Sequence, residues 1–384
     1  MLAQMEPYTV GPARAEIADL RQRLAAARWP SVVAAGWDEG IDVAYLRGLC
    51  DYWSHGYEWA ASADRLNHYP QFVTRFEDEQ IHFIHVPSPH AGAMPLLLLH
   101  GWPSSVFEFA GLIDTLTRPE SHGGTAADAY HVVIPSLPGF GFSGPISTPG
   151  WTPRQIARAM VALMHRLDYP DYGVHGGHWG SFVAAQMGSL VPDRVVGIHM
   201  TTVAVERPPR AEAAGGVTST ELEDLESGRR RNRLDRGVRE IQAVRPQTIS
   251  LALNDSPVGL AAWILDRFRA WSDCGDDLDN AFDRGDLLDD ITTWWVTGTI
   301  ASANRLHLEA RRAQRGEVMP SERVRVPMGH ARFPGEVIRP PRAWVERLFD
   351  VRWWTRMPAG GRFASLEQPD LLVADLRGFF ASVR

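Results

Sequence analysis

The chain has 384 residues, and 39 Lys+Arg against 46 Asp+Glu give a formal net charge of −7. Hydrophobic residues make up 45% and charged residues 22%, which excludes wholesale disorder, and the acidic balance argues against a nucleic-acid surface, which needs an excess of cations. Two cysteines, Cys50 and Cys274, are too few and too far apart for a disulfide scaffold or a cysteine metal site, and the absence of lysine removes Schiff-base chemistry.

No run approaches the roughly 18 apolar residues that a membrane span requires. The opening MLAQMEPYTV has neither a basic region nor an apolar stretch of the kind that marks a secretion signal. The expectation is a soluble, cytoplasmic protein that engages neither membrane nor nucleic acid.

Residues 1–93 read as an N-terminal extension of helices and one strand, wrapping core and cap. IADLRQRLAAARW (17–29) is apolar at helical spacing, and IHFIHV (81–86) alternates as a strand does. A first α/β unit then spans 94–205. PLLLLHGWP (95–103) is a continuous apolar run closed by a glycine turn, as in a buried parallel strand, and HVVIPSLPGFGFS (131–143) repeats the pattern. WTPRQIARAMVALMHRL (151–167) predicts an amphipathic helix with Thr152 as N-cap and Pro153 at its first position. YGVHGGHWGSFVAAQMGSLV predicts strand, tight turn and helix, and strands alternating with helices imply a parallel sheet.

Residues 206–320 change character. Arginine-rich polar stretches alternate with helical blocks such as SPVGLAAWILDRFRAW, which predicts a helical cap inserted into the α/β unit. The arginines of 229–239, flanked by acids, read as a solvated helix face. The last part of the core, 321–384, opens with the strand-like RVRVPMGHARFP and closes with the amphipathic QPDLLVADLRGFFASV.

The turn GGHWG places His178 between Gly176 and Gly180 with the spacing of a nucleophile elbow, where flanking glycines relieve a strained central residue. Upstream, HGWP (100–103) follows a strand and can aim the Trp102 N–H at the spot reached by the Trp179 N–H, forming an oxyanion hole. The two loops together point to an α/β-hydrolase fold.

Long strings carry the resemblance further. DLRQRLAAARWP, YWSHGYEW, PLLLLHGWPSSVFEF, PSLPGFGFS, LNDSPVGLAAWIL, LLDDITTWWVTGTI, VPMGHARFPGEV and PAGGRFASLEQPDLL resemble, nearly end to end, epoxide hydrolases of the microsomal and juvenile-hormone type, including bacterial relatives in natural-product pathways. The resemblance implies an α/β-hydrolase fold with a helical cap and the family's N-terminal extension. It also implies a covalent mechanism: an elbow aspartate opens the epoxide to an ester, two cap tyrosines hold the epoxide oxygen, and a histidine oriented by a carboxylate activates water.

Carried over position by position, that machinery is mostly replaced. The elbow aspartate of GGDWG is His178, and the base histidine of GGHFA is Arg362. The cap tyrosines fall on Val238 (in VREIQ) and His307 (in RLHLE), and the orienting acid survives as Glu336. An alkyl-imidazolium would not hydrolyse as an ester does. Arginine stays protonated, so it cannot serve as a base, and valine has no proton to donate.

Three readings follow. His178, with His307, shuttles protons without covalent chemistry, driving cyclisation, isomerisation or elimination of a small, largely apolar substrate. Alternatively, His178 is the base for direct attack of water on an epoxide or acyl group. In the third, the chain is a catalytically dead binding protein. The expected site comprises catalytic His178, Glu336 and His307, oxyanion donors Trp102 and Trp179, and a pocket with Trp294, Val238 and Arg362, with His178 at the floor of an apolar cavity. Arg362 is expected to pair with Glu336. His100 reads as structural, and His82, His85 and His199 lie as isolated residues without ligand spacing, so neither metal nor cofactor is expected. A homodimer is compatible with this reading.

Overall fold

Leu96, Leu97, Leu98 and Leu99 are wholly buried because the strand that carries them is covered on both faces. In the computed structural model, which describes residues 5–31, 33–209, 212, 213 and 215–384, this strand lies near the middle of one sheet. Among the described residues the sheet has nine strands: β1 Glu6–Tyr8, β2 Gln71–Phe76, β3 Glu79–Val86, β4 Met94–Leu99, β5 Tyr130–Pro135, β6 Tyr172–Gly176, β7 Val195–Met200, β8 Val324–Arg332 and β9 Phe349–Arg356. Their order is β1-β2-β3-β5-β4-β6-β7-β8-β9. Pairing is antiparallel from β1 to β5 and parallel from there to β9.

The N-terminal extension is part of this sheet. It supplies three strands to the sheet where the sequence predicts one. Its helices are tied to the cap by polar contacts: Trp53 Nε1 donates to Thr292 Oγ1 at 2.8 Å and the Tyr57 hydroxyl to Asp289 at 2.8 Å.

Helix Pro153–Arg166 begins where its sequence predicts, with the Thr152 hydroxyl accepting from the Gln155 N–H. It packs on helix His178–Leu190, which leaves the elbow. Between β7 and β8 the chain makes six α-helices among the described residues, Ser219–Leu234, Arg236–Val244, Pro246–Asp255, Pro257–Trp271, Arg284–Thr297 and Ile300–Arg312. They form the cap. Arg229, Arg230 and Arg233 lie on a solvated face, whereas Arg231 departs from that expectation by reaching the Ala270 carbonyl at 2.8 Å. No single helix among the described residues is long and apolar enough to cross a membrane.

Candidate active site

The elbow is built by close backbone contact. Gly176 ends β6, and a Cβ there would meet the Gly180 carbonyl carbon at 2.3 Å; a Cβ on Gly180 would meet the Leu99 carbonyl oxygen at 1.9 Å. Only glycine lets strand and helix approach this closely. His178, the residue between them, is held at φ 44°, a left-handed conformation that a side-chain-bearing residue adopts only under constraint. Its amide is fixed by the Thr202 hydroxyl, which accepts the His178 N–H at 3.2 Å.

Gly101 brings the second loop against the elbow, since a Cβ there would lie 2.9 Å from both His178 Nδ1 and the Trp179 amide nitrogen. The Trp102 amide donates to His178 Nδ1 at 3.1 Å. A backbone N–H can only donate, so Nδ1 accepts and the neutral ring carries its proton on Nε2. Nε2 has no hydrogen-bond partner among the described residues. Of the two expected oxyanion donors, the Trp102 N–H is thus occupied by His178 itself. The Trp179 N–H lies in the first turn of its helix, where amides lack an intrahelical acceptor.

Aromatic rings enclose the imidazole. Trp271 lies 5.6 Å away at 33°, Trp179 at 5.6 Å and His307 at 6.4 Å between ring centroids. Trp102 and Trp179 both meet His307 edge to face, at 5.7 and 5.0 Å. Burial, then the Arg362 charge and then His307, hold the His178 ring well below the usual imidazole range, and burial pushes His307 down to about 3. Both shifts favour the neutral form of the ring.

Below the elbow, Glu336 and Arg362 form the expected pair. Both side chains are buried, and the guanidinium reaches both carboxylate oxygens, Nε at 3.1 Å and Nη2 on the other oxygen. Burial alone would raise the Glu336 carboxyl, but the adjacent Arg362, the Thr202 hydroxyl at 2.6 Å and the Ile338 N–H at 2.9 Å outweigh it and keep the group below the usual range. The guanidinium also lies 4.4 Å over the Trp271 ring. Trp271 is therefore placed between Arg362 and His178.

The other pocket candidates have structural surroundings. Trp294 is buried and donates from Nε1 to the Pro103 carbonyl at 2.6 Å, which braces the HGWP loop. Val238 is half-buried one turn before Gln242, which donates to Asn304 at 2.8 Å. It thus sits in the packing of helix Arg236–Val244 against Ile300–Arg312, the helix that carries His307. Two cavities lie away from His178. One, of about 700 Å³, lies beside Arg65, Phe107, Asp289 and Asp290; another, of about 550 Å³, beside Val205, Met319 and Trp344. Around His178 itself the neighbours are the indoles of Trp179 and Trp271.

Three neighbours escape sequence reasoning. Thr202 could be anticipated from its place just beyond the C-terminal end of β7, where open α/β sheets carry their ligands. Trp271 ends a cap helix and nothing in its local sequence marks it. Glu108 is buried behind the elbow, accepting from the Ser104 and Ser365 hydroxyls, and burial raises it to about 7 against the lowering effect of those two hydroxyls. Its signal is a carboxylate between two phenylalanines. His100 is structural, as expected: its Nε2 accepts the Leu137 N–H at 3.1 Å. His199, expected to be isolated, bonds His175 at 2.9 Å and Asp375 at 2.8 Å. Among the described residues no group of three or more His, Cys, Asp or Glu side chains could hold a metal ion.

The sheet order, the strained elbow after β6 and the cap between β7 and β8 define an α/β-hydrolase-fold protein. The profile described as alpha/beta hydrolase fold matches residues 94–220, and that described as Epoxide hydrolase N terminus matches residues 5–109. Epoxide hydrolase 1 of Oryctolagus cuniculus is 36% identical, over 99% of this chain and 89% of its own length, and the juvenile hormone epoxide hydrolase of Manduca sexta is 31% identical over 97% and 85%. The crystal structure of juvenile hormone epoxide hydrolase from Bombyx mori superposes with a TM-score of 0.89 at 27% identity, covering 100% of this chain and 95% of that one. The Aspergillus niger epoxide hydrolase gives 0.87 at 27%, covering 99% and 97%. The chain belongs to the epoxide hydrolase family, in its microsomal and juvenile-hormone branch.

Proposed function

We propose that this chain is an epoxide-hydrolase-like enzyme that acts on a small, largely apolar, oxygen-bearing substrate without an ester intermediate, polarising that oxygen from His178 and so promoting cyclisation or isomerisation. The observation that carries the reading is the Trp102 N–H on His178 Nδ1. It leaves a neutral imidazole presenting Nε2–H, and a neutral imidazole can serve as an electrophile toward a developing oxyanion. His178 can take up a proton only by giving up the Trp102 bond, because the Nδ1 lone pair that accepts that bond is the ring's only basic site. That counts against the alternative in which His178 is the base for direct attack of water. The pairing of Glu336 with Arg362 likewise leaves no histidine base in the usual place.

A binding protein without turnover is the second reading, favoured by the indoles packed around His178. One experiment separates the two. Wild type and His178→Ala are incubated with a panel of apolar epoxides and carbonyl compounds, and substrate loss is followed by mass spectrometry without presuming a diol. The expected result is a loss of about 10²–10⁴-fold in rate for His178→Ala, the range for removing a proton-donating or proton-accepting group. Equal turnover in both proteins would end the role of His178, and turnover in neither would leave the binding protein.

A further inference from the structure

The polar atoms left open around the elbow are mostly donors. Trp102 Nε1, Trp179 Nε1 and Arg239 Nε are buried without a hydrogen-bond partner among the described residues, and so is His307 Nδ1, a donor or an acceptor according to its tautomer. His178 adds its Nε2–H. These rings form one cluster, with Trp102 and Trp179 each edge-on to His307 and His178 beside both Trp179 and His307. Arg239 lies on helix Arg236–Val244, which packs against the helix that carries His307, and its guanidinium reaches the Asn232 carbonyl at 2.9 Å. The carboxylates at hand are already used. Both oxygens of Glu336 are taken by Arg362, Thr202 and the Ile338 N–H, and those of Asp235 by Arg267 and the Trp271 indole. His178 and His307 nevertheless remain partly reachable by solvent.

A buried donor without an acceptor carries its full desolvation penalty, so such a cluster is completed by a group rich in lone pairs. A ketone or epoxide oxygen offers two lone pairs. A carboxylate offers about four sites and a full negative charge, which suits several N–H donors near the Arg239 guanidinium. The indole faces of Trp102, Trp179 and Trp271 supply apolar walls.

We propose that the space bounded by His178, His307, Trp102, Trp179 and Arg239 binds the carboxylate of an apolar organic acid, which makes the substrate class anionic. The inference rests on the reading of this site as a substrate-binding centre and narrows it.

The test titrates the full chain with octanoate, octanamide and 1-octanol, following tryptophan fluorescence and calorimetric heat. Octanoate should bind about tenfold or more tightly than octanamide. Arg239→Gln and Trp179→Phe, which removes the N–H and keeps a ring, should erase that preference by weakening octanoate more than octanamide. Their melting temperatures establish that they fold. Octanamide or octanol binding as tightly as octanoate would overturn the proposal, as would an octanoate preference unmoved by both variants. If no probe binds while His178→Ala still abolishes turnover of a neutral substrate, this proposal falls and the enzymatic reading stands.

Discussion

The Thr202 hydroxyl accepts the amide of His178 and donates to Glu336, so a single oxygen ties the strained elbow to the buried ion pair beneath it. Thr202→Val keeps the shape and removes both bonds. It should destabilise the protein by about 1–3 kcal/mol, since a carboxylate lone pair and a backbone N–H lose their partner together. Urea unfolding of the two proteins measures this directly, with an unchanged slope and a lower midpoint expected.

Glu336 and Arg362 should show strong coupling. Glu336→Gln leaves a buried guanidinium without its counter-charge and should cost about 3–5 kcal/mol. Replacing both, as Glu336→Leu with Arg362→Met, removes the charges together and should recover most of the loss. A double mutant no more stable than the worse single one would show that the pair is not what holds the loop.

His178→Asp should place a carboxylate at the elbow without restoring hydrolysis. The new side chain can open an epoxide to a hydroxyalkyl ester, but Arg362 cannot activate water to release it. Incubation with styrene oxide should therefore give a protein whose mass rises by that of the intact epoxide and stays there. Diol accumulating over many turnovers would show that another group supplies the base.

Stability should fall on acidification. Burial lowers His82, His100, His307 and His330 to about 3 or 4, and moves His175 and His178 well down. The unfolded chain protonates each near pH 6.5 while the native state refuses the proton, so below about 6.5 each contributes up to about 1.4 kcal/mol of lost stability per pH unit. Carboxyls raised by burial act in the opposite sense. Glu108 and Glu367 at about 7, Asp289 at about 6 and Asp290, raised well up, are protonated more readily when folded, and their contribution, full below about 4, is lost as pH rises through their folded-state values. The histidines outnumber them. Thermal melts should show a net decline from pH 6.5 to 5, and a melting temperature that rises over that interval on acidification would contradict this balance.

Much of the framework is legible in the sequence because it is locally encoded. The continuous apolar run of β4, the Thr152-Pro153 start and the elbow glycines each declare themselves within a few residues. The Glu336–Arg362 pair follows from chain order in this fold. What is hidden depends on contacts distant in sequence. FDVRWWTR forms β9 at the sheet edge, where charged residues in the run dilute the strand signal. β1 is three residues long and exists only by pairing with β2. Most telling is His178: sequence places it at the elbow, but only the fold shows that its ring has turned onto the Trp102 amide.

Trp271 joins the layers through its main chain as well as its indole. Its carbonyl accepts the Arg362 N–H at 2.9 Å, and a Cβ at Gly361 would meet that same carbonyl oxygen at 2.6 Å. The last turn of helix Pro257–Trp271 is thereby latched to the loop that carries the ion pair. Lifting the cap there must break a backbone bond and withdraw the indole from both a cation and an imidazole in one movement. A displacement of the cap at this point would therefore act on the ion pair and on the elbow together.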